Sequence, residues 1–189
     1  MGEAAMNWFN TIAILLIAYV VVFLQATFNE VRHFVGVQVD LLPSLVVYAA
    51  LSGGIVTLTL TAVLGGLWFD ALSANPIGLS ILPLFGIGLF IQHSREFILR
   101  DQPYAQMLIG LTASALAPLG SLLILVNTDT KPLLGWFSLW QWLVMSVVGA
   151  VLTPVWFWIF EVISRVLNYR PVIEGGFRAD RQIKRGRRQ

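Results

Sequence analysis

The chain has 189 residues, of which 57% are hydrophobic and 12% are charged, half of the ~25% typical of a soluble domain. With a mean hydropathy of +0.78 it reads as a membrane protein. It contains no cysteine, which excludes a disulfide scaffold, a thiol nucleophile and a Cys-ligated metal site.

Charge is unevenly placed. Eight of the 12 Lys+Arg fall at 165–189, against Glu174 and Asp180, so that segment is +6. The first 164 residues hold four basic and eight acidic groups, or −4. The apolar runs are continuous rather than alternating, which argues against a membrane β-barrel. The expected class is all-α and polytopic, with one transmembrane domain at 1–169 and a basic, disordered cytoplasmic tail at 170–189.

The first predicted helix runs from Trp8 to Thr27, long enough to cross ~30 Å of hydrocarbon. No Lys or Arg precedes it, so it reads as a retained helix rather than a signal peptide. A polar connector follows, with Asn29, Glu30, Arg32, His33 and Gln38. Asp40 reads as the N-cap of a second helix, with Pro43 in its first turn. That helix stops at Ser52-Gly53-Gly54 and spans only about 18 Å, too short to cross upright.

The third helix, Ile55 to Leu72, stacks Ala62, Gly66 and Asp70 on one face with Thr59 beside them. Small residues there let neighbouring helices approach. Asn75-Pro76 predicts the next helix start, with the helix running from Ile77 to about Gln92. After a charged loop holding Arg95, Glu96, Arg100 and Asp101, Pro103 opens a fifth helix ending near Val126. Its Gly110/Ser114/Pro118 and Ala113/Ala117 spacings read as packing faces. Ser138 and Gln141 have capping-box spacing at the start of the sixth helix. That helix reaches Leu167, about 44 Å, so it must tilt, kink at Pro154 or project. Trp136, Trp140 and Trp142 sit where an interfacial belt is expected.

The basic tail places the C-terminus in the cytoplasm. Six helices then put the Arg95/Arg100 loop and the N-terminus inside as well. If Gly53-Gly54 is a bend within one span, there are five helices and an outside N-terminus.

Asp70 is the first candidate for chemistry, because burying an ionisable group in a membrane helix costs several kcal/mol. It would bind a cation, relay protons or hold a partner. Its position near a helix end favours the plainer reading, capping backbone donors at the Asn75-Pro76 helix start. Glu161 and Arg165 have the i, i+4 order of an intrahelical ion pair. His33 and His93 fall on opposite sides of the membrane in this topology. Serine-hydrolase elbows, Walker A loops and His-Glu-x-x-His are absent, so no enzyme, cofactor or metal site is expected. Arg178, Arg181, Lys184, Arg185, Arg187 and Arg188 suit association with anionic lipid. The tail's one aromatic beyond Arg170, Phe177, argues against nucleic acid.

The segment GGLWFDALSANPIG, with Gly65, Gly66, Leu67, Asp70, Leu72, Ser73, Pro76 and Gly78, resembles the rod-shape-determining membrane protein family MreD. The likeness extends over roughly Asp40 to Arg165: a short Pro-containing helix, a Gly-rich break, a charged loop, and a last helix with Pro154 before basic residues. The resemblance implies six transmembrane helices in the bacterial cytoplasmic membrane. It also implies a fold like the substrate-binding component of energy-coupling-factor vitamin transporters. The implied role is a non-catalytic scaffold, partnered by the single-span MreC, within the elongation machinery of RodA, a class B transpeptidase and MreB. The implied surface is a groove for the MreC helix, with self-association through the small-residue faces as a further expectation. The chain departs from the family in lacking basic N-terminal residues and in its long basic tail. The rival reading is a vitamin-type transporter substrate-binding subunit, using outer-loop Asn29, His33, Gln38, Asn127 and Trp136.

Overall fold

The computed structural model describes residues 2–27, 40–73, 76–95, 102–127 and 135–167. Among these, every regular element is an α-helix: α1 (Gly2–Thr27), α2 (Leu42–Ser52), α3 (Ile55–Leu72), α4 (Ile81–His93), α5 (Pro103–Asn127) and α6 (Trp136–Leu167). Four of them, α1, α3, α5 and α6, are long and apolar enough to cross a membrane. The chain is a helical membrane protein. The expected tail at 170–189, with its seven basic residues, lies outside the described residues, as do Asn29, Arg32, His33 and Gln38.

The short α2 is the axis of the bundle. Leu42 to Leu51 are all buried, and the helix touches each of the other five. Its buried Ser44 is matched rather than wetted. Ser44 donates its hydroxyl to the Leu41 carbonyl (2.7 Å) and accepts the Trp156 indole N–H (3.0 Å). Tyr48 stacks on Phe160 at 4.2 Å between ring centroids and meets Phe157 edge-on. These pairs rise in parallel along α2 and α6, so both helices run the same way.

The chain reverses at Gly53–Gly54, which disposes of a bend within one span. A Cβ on Gly65 would lie 3.0 Å from Leu42 Cδ1, so the far part of α3 packs beside the start of α2. Gly53 itself is wedged: a Cβ there would sit 2.8 Å from both the Ala49 carbonyl and Thr57 Cβ. α1 runs parallel to α3, tied by the Thr11–Thr57 hydroxyl pair at 2.7 Å and by Tyr19 edge-on to Trp68. Thr57 and Thr61, rather than the expected Thr59, join Ala62, Gly66 and Asp70 on the buried face of α3. Thr59 returns its hydroxyl to the Ile55 carbonyl near the surface.

Helix directions therefore alternate, and the bundle has two ends. Asp40, Ser73 and Ser80 mark one, called upper here. The start of α1, the Gly53–Gly54 turn, His93 and the end of α6 mark the lower.

Three expected helix starts differ. The N-cap of α2 is Leu41, and Asp40 accepts the Leu42 N–H from one position upstream (2.9 Å). α4 begins at Ile81 rather than Ile77, because 77–80 form a turn held by Asp70. α6 begins at Trp136, and Ser138 serves from inside the first turn, accepting the Gly135 N–H at 3.4 Å. That is the returning half of a capping box, not the N-cap itself. α6 is 32 residues, about 48 Å, and runs as a single helix through Pro154.

α5 and α6 approach most closely where Gly110 and Ser114 meet Gly149 and Thr153. A Cβ on Gly110 would lie 2.6 Å from the Gly149 carbonyl oxygen. Such small-residue seams let backbones touch where lipid offers no hydrophobic drive. Gly110→Val should cost about 1–3 kcal/mol by overpacking and lower the thermal midpoint of detergent-solubilised protein. Gly86→Ala, whose Cβ meets open space inside α4, should leave the midpoint unchanged or raise it slightly.

Candidate functional site

The residues singled out from the sequence converge on the α3–α4 junction at the upper end. Asp70 is 1% exposed, in the last turn of α3. Its Oδ2 accepts the backbone N–H of Gly78 (2.8 Å) and of Ser80 (3.1 Å). Its Oδ1 accepts the Ser80 hydroxyl at 2.6 Å. Three donors on one carboxylate compensate its burial, and they belong to the turn that opens α4. A helix start exposes unpaired N–H groups and favours a negative charge beside it. Asp70 supplies that charge from the preceding helix. The plainer reading of Asp70, a cap for backbone donors, describes its contacts, with Gly78 and Ser80 as partners in place of the expected helix start at Pro76.

The other motif residues shape the same clasp. Ser73 closes α3, donating both its N–H and its hydroxyl to the Asp70 carbonyl (both 3.3 Å). Pro76 starts a turn closed by the Leu79 N–H on the Pro76 carbonyl (3.2 Å). Gly78, third in that turn, has φ +95°, where any side chain would be strained. Gly66 faces the first residue of α4: a Cβ there would lie 3.2 Å from both Ile81 N and Cα. Gly65 faces α2 instead, against Leu42. Leu67 is half-buried and Leu72 is 53% exposed, and neither touches the clasp through a hydrogen bond.

Beside the clasp lies a cavity of about 320 Å³. Asp40, Ser73 and Ser80 line it from the helix ends, and Ser121 and Gln141 from α5 and α6. Phe69, Leu84 and Met145 form apolar walls. Asp40 lies outside the helices. Burial pushes its carboxyl from its ordinary 3.8 up to about 6, the Leu42 N–H opposes the rise, and the negative charge of Asp70 adds to it. The Gln25 amide lies near enough to favour the carboxylate slightly, although its buried nitrogen makes no hydrogen bond of good geometry.

Sequence reasoning missed Ser80 and the cavity role of Asp40. Ser80 had a signal, since Ser followed by Ile-Leu-Pro is itself a helix-start pattern. The upstream Asn-Pro pair outcompeted it. Nothing local in the sequence could bring Asp40 to Ser121 and Gln141.

The Glu161–Arg165 pair forms as expected at 2.6 Å, with both side chains well exposed near the lower end. It is a surface pair on one helix and does not line the upper cavity. His93 is exposed at the same end. Trp136 and Trp140 are exposed at the upper end, while Trp142 donates its indole N–H to the Ala115 carbonyl (2.8 Å). Of the rival reading's outer-loop residues, Asn127 and Trp136 are described and neither lines the cavity. Among the described residues no group of three His, Cys, Asp or Glu could hold a metal ion. No family model, no curated protein and no solved structure matches the chain.

Asp70→Ala would strand the Gly78 and Ser80 donors, at about 1–3 kcal/mol for a buried group left unpaired. It should lower the thermal midpoint more than Asp70→Asn, which keeps one acceptor oxygen. Equal midpoints for wild type and Asp70→Ala would show that the clasp does not hold the junction.

Asp40 generates a pH dependence. Its folded value lies above its ordinary one, so the folded state binds the proton more tightly. The resulting stability is present below about pH 4 and is lost as pH rises through about 6. The thermal midpoint should fall over that window, and Asp40→Asn should flatten the fall.

Proposed function

We propose that this chain is a non-catalytic membrane scaffold of the bacterial elongation machinery, acting in cell shape and lateral-wall peptidoglycan synthesis. The observation that carries the reading is the use of the motif. Gly66, Asp70, Ser73, Pro76 and Gly78 join α3 to α4, with every Asp70 contact going to the fold. A motif committed to architecture suits a protein whose work is presenting a surface. That surface is apolar. On α1, Trp8, Ile12, Leu16, Tyr19 and Phe23 are exposed along one face. In a bilayer such a face meets lipid or another helix.

In this reading six helices alternate across the bacterial cytoplasmic membrane in an arrangement like that of vitamin-transporter substrate-binding components. The lower end, with Arg95 and the exit to the basic tail, faces the cytoplasm. The bundle receives the transmembrane helix of MreC and joins RodA, the class B transpeptidase and MreB in one complex. The basic tail adds anionic lipid at ~1 kcal/mol per near-surface charge.

Depletion in a rod-shaped host should produce rounded cells, scored by microscopy. Rods that persist after the protein is gone would refute the reading. Asp70→Ala and Gly66→Leu, the latter pushing against the Ile81 backbone, should reduce co-purification of MreC while membrane insertion stays normal.

A further inference from the structure

The upper cavity has the chemistry of a binding site that the scaffold reading does not use. Asp40 is the one charged residue among its described walls. The charged neighbour that acts on Asp40 is another acid, Asp70, and no described cation faces it. Asp70 is already occupied by its three donors and leaves the cavity to Asp40. Asp40 uses one oxygen on the Leu42 N–H, an interaction that orients the carboxylate at the start of α2.

We propose that this cavity binds a primary ammonium group carried on a small amphiphilic molecule, with Asp40 as its counter-charge. An ammonium has three donors and no acceptor. Asp40 with the Ser121 hydroxyl and the Gln141 amide oxygen offers acceptors of matching kind. A calcium ion would want six to eight oxygens, which one carboxylate and a few neutral groups do not supply. Phe69, Leu84 and Met145 give the carbon body an apolar wall. The volume of about 320 Å³ lies at the small end of ligand pockets. The ammonium belongs either to a free amine or to an ethanolamine lipid headgroup, since the cavity lies at an end of the bundle. The inference is independent of the scaffold reading.

The test is titration of the full chain in detergent, above the pH range in which Asp40 protonates. The probes are 2-phenylethylamine with 2-phenylethanol as neutral control, and phosphatidylethanolamine with phosphatidylglycerol as control. At least one ammonium probe should bind and its control should not. Binding of the amine alone identifies a solute site, and binding of the ethanolamine lipid alone a lipid site. Asp40→Asn, which keeps an oxygen for the Leu42 N–H, should weaken binding about tenfold or more. Met145→Trp narrows the cavity without touching Asp40 and should weaken it too. Neither ammonium probe binding, or unchanged affinity in Asp40→Asn, overturns the proposal. If Asp40→Asn does not fold, unchanged affinity in Met145→Trp overturns it.

Discussion

An eleven-residue helix cannot cross the hydrocarbon alone, and in lipid its end groups would find no water. It can exist at membrane depth only if protein surrounds it. That constraint organises the bundle. Each of the other helices touches α2, and its residues from Leu42 to Leu51 are buried. Its upper end is met by Asp40, and its lower end closes through the Gly53 N–H on the Ala49 carbonyl (2.9 Å). The second short helix, α4, faces the same demand and meets it through Asp70. Both short helices thus begin against a carboxylate, and the two carboxylates lie close enough for Asp70 to raise the proton affinity of Asp40.

Close packing follows from the same demand. Wrapping long helices around short ones brings backbones together, and glycine stands where they meet. A Cβ on Gly88 would run into Leu58 and lie 3.2 Å from Val46 Cγ1, so one missing side chain lets α4 lie against both α2 and α3. On Gly120 a Cβ would lie 2.8 Å from Pro83 Cβ, where the first turn of α4 meets α5. Gly54 and Gly86, with open space around them, carry no such requirement.

What the sequence revealed follows the range of the signal. Hydrophobic runs and breakers act locally: they placed α3 at Ile55–Leu72 as observed and ended α2 at Leu51, one residue short of the observed Ser52. Asp70 stood out because an acid in an apolar run demands an explanation. Helix starts were less legible, since capping signals compete at short range. Asn75-Pro76 outranked Ser80 until a contact from ten residues upstream decided between them. Ser138 had the right chemistry in the wrong role. The Gly110–Gly149 seam and the cavity join residues from distant helices, and no window of sequence contains both halves. The direction of the chain at Gly53–Gly54 is set by the same kind of contact, Gly65 against Leu42, which no local signal contains.

The cavity itself is a consequence of unequal helix length. α5 continues past Ser121 to Asn127, about 9 Å, and α6 begins about 7.5 Å before Gln141. The short helices start below those ends, so the long ones stand as walls around a recess floored by helix starts. Helix starts bring N–H donors and the carboxylates that satisfy them. A recess made this way is polar at its floor and largely apolar along its walls, Ser121 and Gln141 excepted, without any selection for a ligand. One detail departs from that default. Asp70 alone completes the start of α4, and Asp40 lies upstream of its own helix, retaining acceptor capacity toward the recess. A neutral Asn or Ser would serve the start of α2 without a second acid beside Asp70, whose charge makes ionising Asp40 harder. Architecture explains why the recess exists, and fold leaves open what occupies it. Meeting the start of α2 accounts for one oxygen of Asp40, and the charge it carries there is the feature that architecture leaves unexplained.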